Sequence, residues 1–198
     1  MSLTEAMVIE SLKGFIDPNT AKNLVETKSI SSIEIVDNKP NIKIVLGYPA
    51  KNFAKNLNEM IIKQLSSSDI SCGEVEISWK IESHSVQKSL QPMQNIKNVI
   101  AVASGKGGVG KSTTAVNLAL ALSSEGSNVG ILDADIYGPS QPRMLGLKGQ
   151  PESQDGKSLE PMENYNIQAM SIGFLIDEET PMIWRGPMVT QALEQLLS

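Results

Sequence analysis

The chain has 198 residues, 40% hydrophobic and 20% charged, which is enough to bury one or two cores and too apolar for a disordered segment. A formal net charge of -5 argues against a broad nucleic-acid-binding or anionic-membrane surface, so the expected partners are small molecules and proteins, with no nucleic acid and no membrane. The single cysteine, Cys72, excludes an intramolecular disulfide and any multi-cysteine metal site within one copy; with no basic leader and no run of ~20 apolar residues, the expected location is cytoplasmic.

Residues 1–82 read as a small α+β domain. Ser2-Leu3-Thr4-Glu5 has the pattern of a capping box opening a helix to about Gly14, with Val8, Leu12 and Phe15 at helical spacing. Asp17-Pro18 breaks it. Ile33 and Ile35 alternate on one strand and Ile42, Ile44 and Leu46 on the next, with Asp37-Asn38-Lys39-Pro40 as the turn. Phe53, Leu57, Met60, Ile61 and Leu65 form the stripe of an amphipathic helix facing a sheet, and Val75, Ile77, Trp79 and Ile81 alternate as a third strand. No catalytic constellation shows in this part. Cys72, beside Gly73, reads as a small strand-edge residue, and His84, between two serines and without a partner, as an exposed linker histidine.

Residues 83–97 are polar, carry Pro92 and lack apolar periodicity, as a linker does. Residues 98–198 then read as an incomplete α/β domain: a P-loop NTPase parallel sheet flanked by helices. Val99 to Ala103 is an unbroken apolar run, the signature of a parallel strand buried on both faces. After it, Gly105, Gly110, Lys111 and Ser112 match G-x-x-x-x-G-K-[ST], a spacing that wraps backbone N–H groups around phosphates at a helix N-terminus. In this reading Gly105, Lys106, Gly107, Gly108, Val109, Gly110, Lys111, Ser112 and Thr113 bind a nucleoside triphosphate. Lys111 reaches the β- and γ-phosphates, Ser112 ligates Mg²⁺ and Thr113 holds the α-phosphate.

Gly105, Gly107 and Gly110 also satisfy G-x-G-x-x-G, with Asp133 roughly 20 residues on, the layout of a dinucleotide site. Lys111-Ser112-Thr113 decides against it, because a triphosphate with Mg²⁺ needs a cation and hydroxyls where a dinucleotide site needs a small apolar contact. The helix from Gly110 to Ser124 stops before Gly126, and a second strand runs from Asn128 to Leu132.

Asp133-Ala134-Asp135 puts two carboxylates at the carboxyl end of that strand. Asp133 is expected to hold Lys111 or a Mg²⁺-bound water, and Asp135 to orient or deprotonate the water that attacks the γ-phosphate. Gln150 to Asn164 reads as a surface excursion, and Ile167 to Ile172 as a strand. Pro187 then opens a helical stripe through Val189, Leu193, Leu196 and Leu197. For Arg185 the residues favour neither a phosphate contact nor a surface role.

Read together, GKGGVGKST (Gly105 to Thr113), DADIYGPSQPRMLG (Asp133 to Gly146), SIGFL (Ser171 to Leu175) and WRGPM (Trp184 to Met188) resemble the Mrp/ApbC branch of the ParA/MinD ATPases. The first domain resembles the small domain these proteins share with iron-sulfur assembly factors. The resemblance implies an ATP- and Mg²⁺-binding, slowly hydrolysing homodimer that carries an iron-sulfur cluster and transfers it to apoproteins, working with assembly factors. It adds Lys106 to the catalytic set of Lys111 and Asp135, as the lysine of the deviant Walker A loop that reaches the partner's nucleotide.

Four departures qualify the resemblance. The family's Cys-x-x-Cys pair, its Walker B aspartate and its adenine loop do not occur before Ser198, so the chain reads as C-terminally truncated, with iron-sulfur ligands none in this chain and expected beyond it. Where the assembly-factor domain often has a reactive cysteine, this chain has Gly47-Tyr48-Pro49-Ala50, which favours protein docking over cluster handling. The competing functions are a ParA/MinD-like spatial-positioning ATPase and a non-catalytic docking fragment.

Overall fold

The computed structural model describes residues 2–83, 93, 95–136, 138–153, 158–175 and 186–197. The chain divides into two compact units, Met1–Val99 and Ile100–Ser198. His84, most of the expected linker, and Trp184 and Arg185 lie outside the described residues.

In the first unit, helix α1 (Glu5–Lys13) is capped by Thr4, whose hydroxyl accepts from Met7 N at 3.4 Å. The cap is therefore Thr4 and not Ser2, and Met7 occupies the position where a capping box requires Glu or Gln. A two-residue ribbon, β1 (Ile16–Asp17) with β2 (Lys22–Asn23), follows where the sequence signalled only a break. β3 (Ile30–Val36) and β4 (Lys39–Leu46) form the expected antiparallel hairpin. Its turn residues Asp37 and Asn38 have φ of +51° and +59°, the left-handed pair that matches the twist of the flanking strands.

Helix α2 (Ala54–Ser67) crosses over to β5 (Val75–Trp79), which lies parallel to β4 in the order β3-β4-β5. Leu57, Ile61 and Leu65 are fully buried against Val8, Leu12, Ile42, Ile44 and Leu46. Burying each such side chain stabilises the unit by about 1.5–3 kcal/mol. Met60, expected in the same stripe, is 39% exposed, because a helix resting on one sheet buries a narrower face than the periodicity allows. β5 ends at Trp79, so Ile81 is not part of the strand.

The second unit carries α3 (Lys111–Ser124), β6 (Val129–Asp133), the short α4 (Gln141–Met144), β7 (Met162–Asn164), β8 (Ile167–Ser171) and α5 (Gly186–Leu197). β6 and β8 are parallel, as expected of a parallel sheet, and β7 adds an antiparallel strand in the order β6-β8-β7. β7 falls within the stretch read as a surface excursion. Its hairpin turn, Tyr165-Asn166 at φ of +53° and +57°, lacks the Asn-Gly signature that marks such turns in sequence.

The expected strand Val99–Ala103 is not a strand in this fold. Val99 and Ile100 are 74% and 60% exposed, and no described strand pairs with this run. An apolar run becomes a strand only when a neighbour completes its ladder, and β6 pairs with β8 alone. α3 runs one residue short of the expected span and stops in a Schellman motif. Ser127 N donates to Leu122 O at 3.0 Å and Gly126 N to Ser123 O at 2.9 Å, with Gly126 at φ +91°. Val116 and Ala119 face a core with Leu145, Ile167, Ala169 and Phe174. Leu118 stays 37% exposed, a narrower contact than the apolar circumference of the helix suggested.

Candidate functional site

The loop from Ser104 to Gly110 is built around two left-handed glycines, Gly108 at φ +74° and Gly110 at φ +86°. A Cβ added at either would meet nothing within 4 Å, so backbone angle and not space demands glycine there. The Ser104 hydroxyl accepts from Lys106 N and donates to Lys106 O, both at 3.2 Å, and folds the start of the loop on itself. Gly110 is the N-cap of α3 and offers no side-chain cap, so the first-turn amides at Lys111, Ser112 and Thr113 lack an intrahelical acceptor. Uncapped amides at the positive end of a helix, beside an ammonium and two hydroxyls, suit a phosphate chain.

Lys111 reaches across to β6. Its Nζ lies 3.0 Å from Asp135 Oδ2, with the two side chains 30% and 41% exposed. Asp133, the other candidate partner, is 5% exposed and does something else. Its Oδ2 accepts from Ser140 N at 2.8 Å, Gln141 N at 2.9 Å and, weakly, the Ser171 hydroxyl at 3.5 Å, while Oδ1 accepts from Asp135 N at 3.2 Å. Asp133 is thus the anchor that holds Asp135, Ser140 and Gln141 at the strand end. Asp135 holds Lys111, the first of the two roles expected of Asp133.

Gln141 was not singled out by the sequence. It is 4% exposed, and its Nε2 donates to the Ser112 carbonyl at 3.2 Å, tying α4 to the first turn of α3. No motif flags a glutamine at that position. Gly173 is also part of the support: a Cβ there would sit 3.1 Å from the Pro139 ring, so glycine lets the segment after β8 pack on the Gly138-Pro139 bend.

The first unit holds a second polar focus. Asp17, read from the sequence as a helix breaker, is 1% exposed; its Oδ2 accepts from the Tyr48 hydroxyl at 2.6 Å and its Oδ1 from Asn19 N at 2.9 Å. Burial, and then the bond to Asp17, push the Tyr48 phenol well above its ordinary pKa. Cys72 donates to Pro40 O at 3.6 Å and burial pushes its thiol up, the opposite of what activates a nucleophile. Among the described residues no three His, Cys, Asp or Glu side chains cluster to hold a metal ion, and no helix is long and apolar enough to cross a membrane.

Residues 95–198, which contain this loop and its carboxylate pair, match the profile of the NUBPL iron-transfer P-loop NTPase, a ParA-type family. The chain belongs to that family. Residues 5–78 of this NUBPL-type chain also match the profile of the iron-sulfur cluster assembly protein. The chain is similar to the iron-sulfur cluster carrier protein of Escherichia coli K12, at 41% identity over 198 residues covering 97% of this chain and 53% of that protein. It is similar to the protein of the same name from Synechocystis, at 42% identity over 98% of this chain and 57% of that protein. Against the mouse iron-sulfur cluster transfer protein NUBPL the identity is 55% over 109 residues, covering 54% of this chain and 34% of that one. The NUBPL-type chain spans about half the length of the two bacterial relatives.

Proposed function

We propose that the second unit binds and slowly hydrolyses Mg-ATP as the nucleotide-dependent part of an iron-sulfur cluster carrier that acts in the cytoplasm as a homodimer. The observation that carries this reading is the Lys111–Asp135 pair across an uncapped, glycine-turned helix start. A partly exposed pair of this kind contributes only about 0–1 kcal/mol, so phosphate oxygens readily take over the ammonium. Lys111 then grips the β- and γ-phosphates, and the freed Asp135 carboxylate orients the attacking water and accepts its proton as the β–γ bond breaks and ADP leaves.

The backbone amides of Gly105 to Gly110 and the Thr113 hydroxyl line the rest of the phosphate chain, and Lys106 extends to the nucleotide of the partner copy. The donor set suits a hard divalent cation: the Ser112 hydroxyl directly, and Asp133 Oδ1 by way of a water. When bound, Mg²⁺ offsets charge on the β- and γ-phosphates. Fold and chemistry fit that cation, since Asp133 Oδ1 accepts from a single backbone amide.

The names of the bacterial relatives and of mouse NUBPL support cluster transfer to apoproteins as the purpose of the nucleotide cycle. A lone cysteine that is hydrogen-bonded and half-buried is no cluster ligand set, so we assign the ligands to the part of the relatives that this chain does not span. The first unit docks assembly factors or recipient proteins. The test is calorimetry with Mg-ATP on the protein and its Lys111→Ala variant, followed by anaerobic cluster reconstitution and transfer to an apoprotein. Equal ATP uptake by both proteins would overturn the site; normal uptake with no cluster bound would move the reading to a spatial-positioning ATPase.

A further inference from the structure

Gln141 carries two observations that the nucleotide reading does not use. Its Nε2 donates to Ser112 O at 3.2 Å, yet its Oε1 is buried with no hydrogen-bond partner among the described residues. Its backbone N–H is held by Asp133 Oδ2 at 2.9 Å. The segment that carries Asp135 is therefore pinned at both ends to one carboxylate, and its far end is tied through Gln141 to the residue that supplies the cation-binding hydroxyl.

A buried carbonyl oxygen left without a donor opposes folding by at least as much as the single amide bond on the same side chain supports it. An apolar side chain of the same shape would serve the core as well or better. The value of an amide at this position thus lies in what it does to Ser112 and not in packing.

We infer that Gln141 is a positioning residue of the nucleotide site. It fixes the first turn of α3 so that the Ser112 hydroxyl is aimed for the metal, and keeps that turn in register with Asp135. The inference rests on the Mg-ATP reading above and deepens it by naming the side chain that couples the P-loop to the carboxylate segment.

The experiment compares wild type, Gln141→Met, Gln141→Glu and Lys111→Ala. It reads thermal unfolding, calorimetric binding of Mg-ATP and of metal-free ADP, and the Mg²⁺ dependence of hydrolysis. Gln141→Met removes both amide atoms at nearly constant volume. Its expected signature is unfolding at or above the wild-type temperature, Mg-ATP affinity lower by about tenfold, and a raised Mg²⁺ requirement, with metal-free ADP bound within about twofold of wild type. Gln141→Glu places an acceptor against the Ser112 carbonyl, so its loss of Mg-ATP affinity should be larger, and it supplies the same comparison should the Met variant not fold.

Mg-ATP binding within twofold of wild type in a folded variant would overturn the positioning role. So would a parallel loss of stability, Mg-ATP binding and ADP binding, which is what a purely structural residue gives. If wild type itself takes up no more nucleotide than Lys111→Ala, the nucleotide reading falls and this inference falls with it. A nucleotide-binding wild type with indifferent Gln141 variants sinks the inference alone.

Discussion

Lys111 Nζ and Asp135 Oδ2, 24 residues apart in sequence, meet at 3.0 Å between the start of α3 and the end of β6. The contact joins the two halves of the candidate site and separates binding from chemistry. Lys111→Ala should weaken Mg-ATP binding by at least about tenfold to a hundredfold, the loss of one or two charge-assisted hydrogen bonds. Asp135→Ala should retain binding while hydrolysis falls by about 10²–10⁴, as for loss of a general base. Calorimetry and phosphate release on the two variants check both, and reversal of the pattern would exchange the two roles.

Asp133→Ala should be the most destabilising change at the site. Asp133 is 5% exposed, and its removal strands the amides of Ser140 and Gln141, each within 2.9 Å of its Oδ2. The expected cost is about 2–4 kcal/mol in chemical denaturation of the second unit, against less than about 1 kcal/mol for Asp135→Ala. Similar costs for the two would show that the anchoring role is overstated.

Gly110→Ala tests the loop through its backbone alone. At φ +86°, with no atom near an added Cβ, the substitution meets left-handed strain and no clash. It should destabilise by about 1–2 kcal/mol, and Mg-ATP affinity should fall further than stability if the loop relaxes toward negative φ. The same change at Gly105, which has no positive φ and open space around it, should cost less on both measures.

Tyr48 supplies a pH signature in the first unit. Its folded pKa lies above the ordinary 10.0, first through burial and then through the bond to Asp17. A group whose pKa is raised on folding lends stability that is complete below the unfolded value and is lost as the pH climbs through the folded one. Stability should therefore decline as pH rises above about 10, and Tyr48→Phe should remove that part of the slope. Near neutral pH the same variant should cost about 1–3 kcal/mol, because the Asp17 carboxylate at 1% exposure loses its hydroxyl donor. Denaturation at several pH values checks both.

The residue order alone marked the candidate site: GKGGVGKST points to phosphate, because glycine, lysine and serine at that spacing have few other uses, and it places α3 to within a residue. Local alternation likewise predicted the β3–β4 hairpin, since a period of two with a turn-forming Asp-Asn needs no distant partner. Contacts between distant residues decided the rest. Whether Val99–Ala103 becomes a strand depends on a neighbouring ladder, and that dependence defeats periodicity. Which carboxylate meets Lys111, that Asp133 holds Ser140 and Gln141, and that Gln141 ties to Ser112 follow from contacts between distant segments. Asp17 and Tyr48 meet in the same way, 31 residues apart. Spacing reports which residues share a helix or strand; only packing determines which hydrogen-bonding groups lie within reach of one another.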